Sequence, residues 1–165
     1  SKWSSPNSGP ALLEQLGAPS LAIPRGPARA PVWPEGIVGS LAHDAEIAIA
    51  AVGLRRDFLG IGADVKPADP LPSDLLPMVA TPAERQVFGD DLGFGRLLFS
   101  IKEAVYKAVH PLDGVFLDHH DVVVALTTST ASACYGRLVS FRYCRAPRIV
   151  ALAYVPAARQ QGPLR

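Results

Sequence analysis

The longest regular pattern in the chain runs over residues 96–110, where apolar and polar side chains recur at helical spacing and neither Gly nor Pro intervenes before Pro111. At about 100° per residue, Leu97, Leu98, Ile101, Ala104, Val105 and Ala108 share one stripe, with Glu103 and Lys107 together on the opposite side. The spacing predicts an amphipathic helix ended by Pro111. A shorter helix is signalled by Thr81 as N-cap, Pro82 in the first helical position and Glu84 three residues after the cap, and it stops near Gly89. Residues 121–127, 135–143 and 149–155 read as strands separated by Ser/Thr-rich and Pro-containing turns. Residues 37–52 are apolar apart from His43, Asp44 and Glu46. Periodicity alone does not decide residues 45–54. Gly53, Gly60 and Gly62 would weaken a helix there, so two antiparallel strands joined by a turn at residues 55–57 are expected.

Proline changes the picture at two places. Seven of the 16 prolines fall in the first 34 residues, which keeps that stretch from being mostly helix or strand. Four more lie between Pro67 and Pro77, read as a surface connection. Residues 11–16, closed by Gly17, form a short amphipathic piece, and residues 157–165 are expected to fray. The length, 165 residues, suits a chain of about one domain, and 48% hydrophobic against 19% charged residues is a globular balance. Sixteen Lys and Arg against 15 Asp and Glu leave no broad basic face for a nucleic-acid backbone. No apolar run approaches a membrane span and no targeting segment is evident, so the chain reads as soluble and cytoplasmic. Cys134 and Cys144 lack metal-ligand spacing and read as buried thiols or strand residues.

Three places carry candidate chemistry, each with a plainer reading. His43 follows an apolar stretch, where a lone histidine is more often structural. Asp64 ends an apolar strand beside glycines that admit a close backbone or a ligand, but it could equally cap a loop. Glu103 and Lys107 form an i, i+4 pair, usually a modest solvated salt bridge.

Their order and spacing are more specific than any one of them. Gly39-Ser-Leu-Ala-His43, then Gly62-Ala-Asp64-Val, then Phe99-Ser-Ile-Lys-Glu103-Ala-Val-Tyr-Lys107-Ala resembles the signature of the 4′-phosphopantetheinyl transferases of the surfactin- and enterobactin-synthetase type. Residues 30–36 around Trp33 and the Pro111-Leu after the helix fit the same pattern, and the resemblance runs from about Leu12 to Val155. It implies an α+β fold made of a pseudo-twofold pair of lobes, with antiparallel sheets packed on long helices. Residues 1–59 would be the remnant of the first lobe, residues 60–156 the second, and residues 157–165 a tail. It further implies transfer of the phosphopantetheine arm of coenzyme A to a serine of an apo acyl- or peptidyl-carrier protein, by a cytoplasmic monomer.

On that resemblance Asp64 and Glu103 would hold Mg²⁺ or Mn²⁺, and Glu103, or a water it orients, would take the serine proton. Lys107 and Lys102 would neutralise pyrophosphate oxygens. His43, with Ser40 as a weaker candidate, would contact a coenzyme A phosphate, and Arg29 would reach its 3′-phosphate or adenine. Lys66, Arg85 and Phe88 would meet the carrier. Two departures stand out. Lys66 occupies the place where the family motif has a second acid, which leaves open a direct phosphate contact or weakened metal binding. The first lobe is also short for the family, which leaves open a reduced lobe or a segment outside this sequence. A rival reading is therefore a non-catalytic coenzyme A or carrier-protein binding module of the same fold. A third, a metal-dependent hydrolase using Asp64 and Glu103, lacks a histidine-carboxylate ligand pattern.

Overall fold

The computed structural model describes residues 13–17, 23–26, 30–133 and 136–158. Strand β3 (Phe58–Pro67) is its organising element, because Gly60 to Val65 are buried on both faces. On one side, Ile61, Ala63 and Val65 meet a hairpin of β1 (Ile37–His43) and β2 (Ala48–Leu54). Ala42, Ala63 and Val65 pack there with Ile49, Ala51 and Val150. The Ala63 amide donates to the buried Ser40 hydroxyl across this contact at 3.0 Å. On the other side, Gly60, Gly62, Asp64 and Lys66 face helix α3 (Leu92–Asp113), as the two-residue period of a strand requires.

Edge to edge, β3 joins an antiparallel five-stranded sheet in the order β3-β7-β6-β5-β4, with β4 (Val123–Ala125), β5 (Thr130–Ala133), β6 (Arg137–Cys144) and β7 (Arg148–Pro156). Every residue of the stripe expected on α3 is buried, against Val139, Phe141, Ile149, Ala151 and Ala153. Each Leu, Ile or Val so enclosed contributes about 2 kcal/mol. The α+β class and antiparallel sheets agree with expectation. Among the described residues, however, α3 is the one long helix, and the β1–β2 hairpin lies on β3 without a long helix of its own.

Several local expectations need correction. The turn at residues 55–57 does join two strands, but they do not pair with each other. β2 pairs with β1 and β3 with β7, because β3 is buried on both faces and sits between two layers. Helix α3 starts at Leu92, capped by Asp91, whose carboxylate accepts from the Phe94 amide at 2.7 Å. It also runs past Pro111 to a left-handed Gly114. A proline this close to the end removes one backbone donor, and the Gly114 amide closes the last turn on His110.

The connection after Pro67 is not merely superficial. It carries a 3₁₀ turn, Ser73–Leu75, and α1 (Leu76–Val79), and it buries Leu71, Leu76 and Val79. The short helix after Thr81 is α2 (Pro82–Phe88), with both bonds of the capping box made and Gly89 as C-cap. Strand β5 falls where a Ser/Thr-rich turn was expected, its buried positions being only Ala131 and Ala133. Cys144 ends β6 and is exposed rather than buried, and Cys134 lies outside the described residues. The Ala157 amide is tied to the Asp57 carbonyl at 2.9 Å, so the expected tail is anchored at its start.

The Gly62 contact sets how closely β3 approaches α3. A Cβ there would be driven into the Ala104 carbonyl oxygen and come 2.6 Å from the Ala108 nitrogen, both helix backbone. Gly62→Ala is expected to destabilise the fold by about 3 kcal/mol or more, read as a lowered urea midpoint, because the backbone must separate.

Candidate functional site

Close packing of β3 on α3 brings together residues 36 to 44 positions apart. Ser100, Glu103 and Lys107 stand at i, i+3 and i+7 on one edge of α3, facing the end of β3. Asp64, 3% exposed, accepts from the Ser100 hydroxyl on Oδ2 at 2.9 Å. Its Oδ1 takes the Lys107 ammonium at 3.3 Å and, more loosely, the Lys66 ammonium at 3.8 Å. Lys107 also donates to the Ala63 carbonyl at 2.9 Å. The expected Glu103–Lys107 pair is thus replaced: Lys107 turns to β3, and Glu103 turns to His119.

His119 begins a 3₁₀ turn, His119–Asp121, capped by Asp118. Its ring stacks on Phe99 with centroids 5.1 Å apart, and Lys66 Nζ lies 5.6 Å from the Phe99 centroid. His119 Nε2 is 3.1 Å from Glu103 Oε1, but the N–H direction misses the oxygen, so the pair is a close electrostatic approach and not a formed hydrogen bond. That approach holds the Glu103 carboxyl below its ordinary pKa; partial burial opposes the shift, and Lys107 and Lys66 reinforce it. The cluster is therefore a chain of neighbours, Lys107, Asp64, Lys66, Phe99, His119 and Glu103. Sequence reasoning assigned no role to His119, Phe99 or Ser100. Only Ser100 had a usable signal, its helical spacing from Glu103 and Lys107.

Lys102 does not join the cluster. It projects into the core, where its ammonium donates to the Val79 carbonyl at 2.7 Å, Glu84 Oε2 at 2.7 Å and the His119 carbonyl at 3.0 Å. All three of its N–H donors are thereby satisfied. Burial pushes its pKa down, and Glu84 pulls it back up. Its expected pyrophosphate contact is overturned: the ammonium braces α1, α2 and the His119 turn. Glu84 completes that brace by accepting from the amides of Thr81 at 2.8 Å and Val124 at 2.9 Å.

His43, at the exposed end of β1, precedes a turn built on Asp44, which accepts from the Glu46 and Ile47 amides at 2.7 and 2.9 Å. Those two amides hold the Asp44 carboxyl below its usual range. Arg148, at the start of β7 and opposite Pro67, pairs with both Asp44 and Glu46, so the His43 turn is tied to the strand beside Lys66. Ser40 is committed to the Ala63 amide inside the fold. Arg29 lies outside the described residues.

On α2, Arg85 pairs with Asp90 at 2.6 Å and Phe88 stacks on Phe94 with centroids 4.1 Å apart. An open depression of about 580 Å³ is lined by Pro77, Pro82, Arg85 and His120, and none of Asp64, Lys66, Glu103 or Lys107 borders it. Among the described residues no three His, Cys, Asp or Glu side chains converge as metal ligands, and no helix is long and apolar enough to cross a membrane.

Two outcomes follow. Lys102→Met leaves Glu84 buried without its cation and should cost about 3 kcal/mol or more in chemical denaturation. Because the folded-state pKa of Glu103 is lowered, its share of stability is complete above about pH 4.5 and is lost as pH falls through the folded value. Melting temperatures should accordingly drop less on acidification from about pH 5 to about pH 3 in Glu103→Gln than in the wild type.

Comparison with known proteins shows which family the chain resembles. The family model for the 4′-phosphopantetheinyl transferase N-terminal domain matches residues 9–53, and that for the 4′-phosphopantetheinyl transferase superfamily matches residues 60–155. The chain is 39% identical over 122 residues to the 4′-phosphopantetheinyl transferase Svp of Streptomyces mobaraensis, covering 70% of this chain and 50% of that protein. It is 39% identical over 132 residues to the 4′-phosphopantetheinyl transferase PptT of Mycobacterium tuberculosis, covering 78% and 58%. With enterobactin synthase component D of Salmonella typhi it shares 35% identity over 89 residues, or 50% and 36%. The matched stretch thus covers between 36% and 58% of the length of these relatives. With one family model covering more than half of its residues, including Asp64, Lys66, Glu103 and Lys107, the chain belongs to the 4′-phosphopantetheinyl transferase superfamily.

Proposed function

We propose that this chain transfers the 4′-phosphopantetheine arm of coenzyme A to a serine of an apo acyl- or peptidyl-carrier protein. The observation that carries the reading is the convergence of Asp64, Lys66, Glu103 and Lys107 at the junction of β3 and α3. In the reaction the serine oxygen forms a bond to the phosphorus that bears the pantetheine arm. The bond from that phosphorus to the bridging oxygen breaks, and 3′,5′-adenosine bisphosphate leaves with the electron pair. Such a transfer depends mainly on positioning and on stabilising charge.

Each residue has a part. Glu103, kept ionised by His119, accepts the serine proton directly or through one water. Lys107 and Lys66 neutralise the oxygens of the pyrophosphate. Ser100 fixes the direction of the Asp64 carboxylate. His43 meets a coenzyme A phosphate from the neighbouring hairpin, held in place by the Asp44–Arg148 contact. The donor set suits Mg²⁺ or Mn²⁺: Asp64 and Glu103 offer hard oxygens, the loose Lys66 contact leaves Oδ1 capacity, and substrate phosphates complete the shell. When bound, the ion would polarise the pyrophosphate and offset its charge.

In the same reading, residues 1–59 belong to the first lobe and residues 60–156 form the second, the protein acts as a monomer, and the carrier is met near Lys66, Arg85 and Phe88. A non-catalytic binding module remains the second reading, favoured by the ammonium that stands against Asp64. Incubation with coenzyme A, Mg²⁺ and an apo carrier protein should add one phosphopantetheine mass to the carrier. Asp64→Asn and Glu103→Gln should each slow this at least about 100-fold. Near-normal rates in either variant would falsify the assigned roles, and coenzyme A binding with no mass shift on any of several carriers would select the binding module.

A further inference from the structure

Asp64 is shielded from solvent by two lysines. Its side chain is 4% exposed, while those of Lys107 and Lys66 are 31% and 29% exposed and lie at 3.3 and 3.8 Å from the same carboxylate oxygen. An arriving ligand therefore meets ammonium groups before it meets the carboxylate. Each ammonium carries three N–H donors. In the contacts described here Lys107 engages two acceptors, Ala63 O and Asp64 Oδ1, and Lys66 makes one loose ion pair and rests over Phe99.

Charge balance points the same way. Asp64 and Glu103 are matched one for one by Lys66 and Lys107, so with an uncharged His119 the cluster's side chains sum to zero, and with a protonated one they carry a net positive charge. Asp44, which also senses Lys66, is already paired with Arg148. A divalent cation entering this cluster would meet two ammoniums within a few ångströms of its ligand oxygen, a repulsion that an anion bound beforehand removes. An acid at position 66 would leave three carboxylates against one lysine, a deficit of two charges that one divalent ion balances alone.

We propose that Lys66 sets the order in which this cluster takes its ligands. A diphosphate-bearing anion binds first, on Lys66 and Lys107 and without a divalent ion. The divalent cation is held firmly only once that anion is in place. The inference rests on the transferase reading for the choice of anion and on the β3–α3 geometry for everything else.

The test uses calorimetric titration of the chain and two variants, with inorganic pyrophosphate in EDTA as one probe and Mn²⁺ alone as the other. The wild type should bind pyrophosphate without metal and bind Mn²⁺ weakly. Lys66→Met, which removes the ammonium and keeps an unbranched side chain, should weaken pyrophosphate binding about tenfold. Lys66→Glu should lose metal-free pyrophosphate binding and take Mn²⁺ alone about tenfold more tightly than the wild type. Melting curves establish that both variants are folded. Equal Mn²⁺ affinity in wild type and Lys66→Glu overturns the proposal, as does unchanged pyrophosphate affinity in Lys66→Met or no metal-free binding in the wild type. No carrier protein enters these titrations. Failed transfer to a carrier would leave them standing, and a failed titration would leave the transfer assay standing.

Discussion

The backbone contact between β3 and α3 is the constraint on which the rest of the structure depends. Gly60 and Gly62 lie under Ala104 and Ala108, with no room for even one methyl group. Because the glycines bring the strand this close, the next residue on the same face, Asp64, arrives within hydrogen-bond reach of Ser100 and Lys107. A wider spacing would leave a buried carboxylate short of its partners, a cost of several kcal/mol for an uncompensated charge. Packing and candidate chemistry are thus two consequences of one backbone approach.

A second brace works from inside the core. Lys102 and Glu84 form an ion pair with side chains only 1% and 3% exposed. Such a pair is weak evidence for stability, since desolvation offsets much of the attraction. Its effect is better seen in what it joins: the end of α1, the cap of α2, the middle of β4 and the turn that presents His119. The imidazole stacked on Phe99 therefore owes its place to a buried lysine one turn along α3 from that ring. Arg148 plays the corresponding part on the other side, fastening the His43 turn to β7.

Much of this was legible from residue order because the signals were local. Helical spacing marked the α3 stripe, the Thr81–Glu84 capping box marked α2, and glycines beside Asp64 marked a close approach. Strand β5 was not legible, since its buried residues are alanines in a Ser/Thr-rich stretch and carry no hydrophobic alternation. The pairing of β2 with β1 and of β3 with β7 was equally hidden. A short turn shows that two strands are consecutive, not that they are neighbours, and partner choice is a non-local matter.

For the site, the one-dimensional pattern determined which residue types are available: an acid at position 64, a lysine at 66, and an acid and a lysine a helical turn apart at 103 and 107. Tertiary structure alone decided their partners. It gave Lys107 to Asp64 instead of Glu103, gave His119 to Glu103, and withdrew Lys102 into the core. The physical reason is that a charged side chain is committed by the nearest group of opposite sign in a desolvated environment. That group is set by which backbones pack together, and spacing along the chain does not record it.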